Sequence, residues 1–107
     1  MTIKNGELTF SPSPAAWAAM QSAAYWRADM AYLQERYGVD GGEAVHELTE
    51  ARRSLGDMLA AMEAAGVPNW AGNSALQFGR DWRRFKRGSL RAYLAKVYTV
   101  TEEGAGA

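Results

Sequence analysis

Two apolar seams constrain this chain more than anything else in it. The first consists of Ala16, Ala19, Ala23, Trp26, Met30, Leu33 and Tyr37, spaced alternately three and four residues apart. The second consists of Ala44, Leu48, Ala51, Leu55, Met58, Met62 and Ala65, with the same alternation. Neither has a polar interruption. A three–four spacing keeps every member on one face of an α-helix, whereas the period of two in a strand would scatter them over both faces. Two long helices follow, one over about Pro14–Tyr37 and one over about Gly42–Ala65. The first seam is small at its start and bulky at its end, which predicts close helix approach near Ala16–Ala23 and wider packing near Trp26–Tyr37. Val45 and Leu59 widen the second stripe, as for a helix facing a globular core.

The connections agree with this reading. Ser13 precedes Pro14, and proline at the first helical position costs no hydrogen bond. Gly38-Val39-Asp40-Gly41-Gly42 ends the first helix, because glycine adopts the left-handed conformation past a helix end at little cost. Two seams joined by a short glycine turn imply an antiparallel helical hairpin. Gly66 to Asn73 forms the next break, with Asn73 or Ser74 as the expected cap of a third helix. In that helix Ala75, Phe78, Trp82 and Phe85 share one face. Gly88-Ser89 interrupts it, and Leu90, Tyr93, Leu94 and Val97 resume with a changed phase, so a kink or two short helices are expected there.

The ends are different. Residues 1–13 form an extended N-terminal arm: Ile3, Leu8, Thr9 and Phe10 favour strand, and Asn5-Gly6 is a turn pair. Val97–Thr101 is β-branched and aromatic, and a short strand there is expected to pair with residues 7–10. Residues 102–107 read as a flexible tail. The fold class is therefore mainly α: a helical hairpin, a third kinked helix and short extended terminal segments, in a single domain of 107 residues.

Composition removes several classes of function. There is no cysteine, so no disulfide, thiolate nucleophile or cysteine zinc site exists. His46 is the only histidine. Glu43, Glu47 and Glu50 lie within two helical turns of it, but a metal site needs a partner elsewhere, and none is evident. The cluster reads as a solvated acidic face. No nucleophile can be matched with a base, since Ser54, Ser74 and Ser89 compete for one histidine. No glycine-rich phosphate loop follows a strand. No enzymatic activity, cofactor, metal or small-molecule substrate is expected. No apolar run is long enough to span a membrane, and MTIKNGELTF does not read as a cleaved signal. The compartment is open, with a soluble cytoplasmic protein as the default.

Charge is the remaining signal. Formal net charge is zero, yet residues 74–98 carry Arg80, Arg83, Arg84, Lys86, Arg87, Arg91 and Lys96 against one acid, Asp81. Arg80, Arg84, Arg87 and Arg91, spaced four, three and four, would form one ridge with Arg83 beside it. Arginine forks suit phosphate, and interleaved Trp82 and Phe85 could stack on bases. Alternatively Glu43, Glu47, Glu50 and Asp57 form an acidic ridge on the second helix that answers the basic one, within a chain or between subunits. Zero net charge favours a protein partner or self-association over nucleic acid. The expected role is an interaction or assembly module acting through helical faces, as a homo-oligomer or as a small subunit of a virion or mobile-element assembly.

One local pattern adds to this. Trp70, Gly72, Ser74, Ala75 and Phe78, followed by Tyr98 and Glu102 four residues apart, resemble the motifs of the WXG family. Its members are small helical-hairpin proteins exported by type VII secretion systems. The resemblance covers about residues 41–102. It implies a secreted helical hairpin with Trp70 and Gly72 in the connection between two helices.

Overall fold

A computed structural model describes the backbone of residues 1–85 and 88–102, and the side chains of those residues apart from 82–85. The protein is mainly helical, with a small antiparallel sheet. Chain order is β1 (Thr2–Asn5), β2 (Leu8–Phe10), α1 (Pro14–Tyr37), a single 3-10 turn (Gly42–Ala44), α2 (Val45–Ala64), α3 (Asn69–Phe85), α4 (Leu90–Val97) and β3 (Thr99–Thr101).

Local chemistry explains the helix ends. Ser13 caps α1, its Oγ accepting from the Ala16 N–H at 3.1 Å, and Pro14 opens the first turn. Past Tyr37 the chain turns through Gly41 and Gly42, both at positive φ. A Cβ on Gly42 would lie 2.9 Å from the Tyr37 carbonyl oxygen, so this turn is tied to glycine. Ser89 caps α4 as Ser13 caps α1, accepting from Ala92 N–H.

The seams are where the packing is. Ala16, Ala19, Ala23, Leu33, Ala44, Leu48, Ala51, Leu55 and Met62 are buried. One core joins Ala19, Met20 and Ala23 of α1 to Leu55 and Met62 of α2, Ala71 and Ala75 of α3, Leu90 and Leu94 of α4, and Ile3 of the sheet. A second, smaller core joins Leu33 to Ala44, Leu48 and Ala51, with Trp26, Met30, Tyr32 and Tyr37 packed around it. Thus the start of α1 meets the end of α2, and the end of α1 meets its start. α1 packs against both α2 and α3. α2 and α3 approach each other at the turn joining them, where Gly72 faces Met62. The molecule is elongated, 52 × 29 × 23 Å, because the α1–α2 pair continues past the larger core.

Four expectations are corrected. Residues 1–13 are not a plain extended arm, since β1 and β2 pair antiparallel with Asn5 opposite Leu8 and Ile3 opposite Phe10. β3 pairs with β1, not with residues 7–10; Ile3 faces Val100, and the strand order is β2-β1-β3. The reason is burial: Ile3 is fully buried, and the middle position flanks it with Phe10 and Val100, which also pack on the core. α3 begins at Asn69, not near Ser74, because the Pro68 carbonyl accepts from both Ala71 and Gly72 N–H groups at 3.0 Å. The early start also puts Ala71 in the core with Ala75. Finally, Val45 and Leu59 do not face the core but are exposed, as is Val97.

Candidate functional site

The expected basic ridge is split between two helices. Arg80 is exposed on α3, and Arg91 and Lys96 are exposed on α4. The side chains of Arg83, Arg84, Trp82 and Phe85, and all of Lys86 and Arg87, lie outside the described residues. Arg91 is paired with Glu102 through Nε and Nη2, so the first residue of the expected tail is held against α4. Residues 103–107 lie outside the described residues.

The acidic ridge lies elsewhere. Glu43 of the 3-10 turn and Glu47, Glu50 and Asp57 of α2 are all exposed, as is His46. The helix next to α2 along its length is α1, and the ion pair formed among the described residues is Arg91–Glu102. The acidic and basic sets therefore do not answer each other within the described part of the chain. Among those residues no group of three or more His, Asp or Glu side chains is placed to hold a metal ion.

The residues that carry the WXG resemblance partly converge. Tyr98 Oη lies 2.6 Å from Ser74 Oγ and donates to the Trp70 carbonyl at 3.2 Å. The Trp70 and Tyr98 rings meet edge to face with centroids 5.0 Å apart. This cluster fastens the chain after α4 to the start of α3. Trp70 and Gly72, however, stand in the first turn of α3, not in a connection between helices. Phe78 lies further along α3 and packs on Tyr93, ring centroids 5.6 Å apart. Burial, then the Asp81 carboxylate and Tyr98, raise the pKa of the Tyr93 phenol above its ordinary value.

A feature absent from the sequence reading is the crossing of α1 and α3. Gly79 lies so close to α1 that a Cβ there would fall 2.2 Å from the Ala24 carbonyl oxygen. Helices that touch backbone to backbone at one point leave space beside it. Here that space is a cleft of about 410 Å³, with Tyr25, Asp29 and Tyr32 of α1 on one side and Phe78, Ser89 and Leu90 on the other. Tyr25, Asp29 and Tyr32 are spaced four and three, one stripe round the helix from the Trp26–Met30–Leu33 seam. A second unforeseen group is Arg27, whose buried Nη1 has no hydrogen-bond partner among the described residues. Burial, then the nearby charge of Arg80, lower its pKa.

The sequence holds one partial signal for these features: an isolated glycine inside a helical pattern, here Gly79, can have a packing reason, but it does not name the partner. No helix among the described residues is long and apolar enough to cross a membrane. No protein-family model matches the chain, and no curated protein or solved structure matches it either.

Proposed function

We propose that this chain is a non-enzymatic interaction module, built on an antiparallel α1–α2 hairpin and a basic α3–α4 segment, that assembles through its helical faces. It acts as a homo-oligomer or as a small subunit of a larger complex such as a virion or mobile-element assembly. One observation carries this reading: the exposed acids of α2 and the exposed bases of α3 and α4 do not meet within the described chain. The acids of α2, and Arg80 and Lys96 among the described bases, are therefore open to a complementary surface on another molecule. A head-to-tail contact between copies satisfies both at once. Such charges set partner and register, and their contribution weakens as salt rises.

Light scattering at low and high salt tests this. Discrete oligomers at low salt, lost in high salt and in the Glu47→Lys/Glu50→Lys double variant, are the expected result. A monodisperse monomer in every condition, with no partner in pull-downs, sinks the reading. A second reading, contact with nucleic acid, rests on Arg80 and Lys96, which are exposed without an acidic partner among the described residues. It predicts a mobility shift that falls steeply with salt and is weakened by Arg80→Glu.

A further inference from the structure

We propose that the cleft between α1 and the α3–α4 segment binds an organic ammonium ion with an apolar body. This goes beyond the assembly role and does not depend on it. The cleft measures about 410 Å³, within the range of sites that hold small molecules. Its walls are largely apolar: Ala24, Ala28, Leu90 and the rings of Tyr25, Tyr32 and Phe78. Phe78 is braced from behind by Tyr93.

The choice of a cation comes from what stands between the tyrosines. Asp29 lies on the cleft, partly buried, between Tyr25 and Tyr32. It forms no hydrogen bond or ion pair with any described residue. A partly buried carboxylate flanked by apolar surface gains from a ligand that brings a positive charge. The exposed Tyr25 ring offers a negatively polarised face to the same charge. Phe78 and Leu90 across the cleft give the ligand's apolar part a surface to cover. An anion would be repelled by Asp29, and a neutral ligand would leave the carboxylate unanswered.

Three isosteric probes test the proposal by NMR titration of the full chain: phenethylammonium, 2-phenylethanol and phenylacetate. Phenethylammonium should shift the backbone amides of Ala28, Gly79 and Gly88 saturably. It should bind at least about tenfold tighter than 2-phenylethanol, a difference of the size expected for one ion pair with ring contacts. Asp29→Asn should remove that preference while leaving the circular dichroism and melting temperature in place. Tyr25→Leu should weaken the ammonium probe more than the alcohol. Equal affinity for ammonium and alcohol, tighter binding of phenylacetate, no saturable shift, or an Asp29→Asn variant that still prefers the ammonium would each overturn the assignment.

Discussion

The two cores of the molecule solve the same problem with different means. At the base, five elements converge: α1, α2, α3, α4 and the sheet all supply side chains, and Ile3, Met20 and Leu94 are fully buried. At the far end, α1 and the start of α2 supply the packing, and three of the four buried residues are small or drawn from one seam: Ala44, Leu48 and Ala51. The base core removes its side chains from water on every side. The far core is one layer deep, and half-buried rings (Trp26, Tyr32 and Tyr37) cover its flanks. The same seam pattern thus gives a scaffold where third and fourth elements cover it, and an accessible projection where they do not. Stability should reside in the base, and contacts with other molecules should draw on the projection and on the cleft where the two regions meet.

The sharpest way to break this comparison is at the crossing that holds α3 on α1. Gly79→Ala would place a methyl carbon 2.2 Å from the Ala24 carbonyl oxygen and 2.8 Å from its Cα. Neither atom can move without shifting a helix. The expected loss is about 3 kcal/mol or more, at or above the upper end of ordinary overpacking. Gly56→Ala is the control, since nothing lies within 4 Å of a Cβ there and alanine is the better helix former by about 1 kcal/mol. Urea denaturation should move in opposite directions for the two. Loss of stability in both would show that the close crossing is not the cause.

The next test compares the cores directly. Leu94 and Leu48 are equally sealed, 0% and 1% exposed. Leu94→Ala opens a cavity where five elements meet and should cost about 3–5 kcal/mol. Leu48→Ala should cost nearer about 2 kcal/mol, because a single-layer core can close on the space. The location of the damage matters more than its size. In hydrogen exchange, Leu94→Ala should lower protection throughout, whereas Leu48→Ala should lower it at the end of α1 and start of α2 alone. Global loss in both would mean the far end is not a separate unit.

What the sequence made legible follows from which interactions are local. The seams were readable because helical periodicity needs no knowledge of partners; their members supply all four buried residues of the far core and four of the ten in the base core. The start of α1 at Ser13-Pro14 was accessible for the same reason. Strand pairing was not: residues 99–101 have no local preference between β1 and β2, and the choice is made by the burial of Ile3. The start of α3 was placed late because Asn73 and Ser74 are good capping types, yet the Pro68 carbonyl does the work at a site with no side-chain signal. The cleft was hidden because it exists only through the approach of Gly79 to Ala24, residues 55 positions apart in the numbering. The charge asymmetry was plain, but not that the acidic and basic sets fail to meet among the described residues.

A smaller effect is expected where the C-terminal segment meets α3. Tyr98→Phe keeps the edge-to-face contact with Trp70 and removes the hydroxyl that meets Ser74 Oγ and the Trp70 carbonyl. The cost should be about 1 kcal/mol, since Ser74 Oγ also donates to the Trp70 carbonyl at 3.0 Å and keeps a partner. A thermal melt resolves this, and a loss above about 3 kcal/mol would mean the cluster belongs to the base core instead of bordering it.

The smallest effect should come from Arg91→Ala. It is paired with Glu102, yet the two side chains are 49% and 42% exposed. Water already solvates both charges, so the pair contributes about 0–1 kcal/mol, and less as salt rises. Melting temperatures of wild type and variant should therefore differ slightly at low salt and converge at high salt. The consequence that remains is local: without Arg91, Glu102 loses its tie to α4, and exchange at Thr101 and Glu102 should quicken while Ile3 stays protected. If Ile3 lost protection as well, β3 would depend on this surface pair and not on its ladder with β1. The stability of the base would then extend to its exposed rim, and the contrast between a sealed scaffold and an accessible periphery would have to be redrawn.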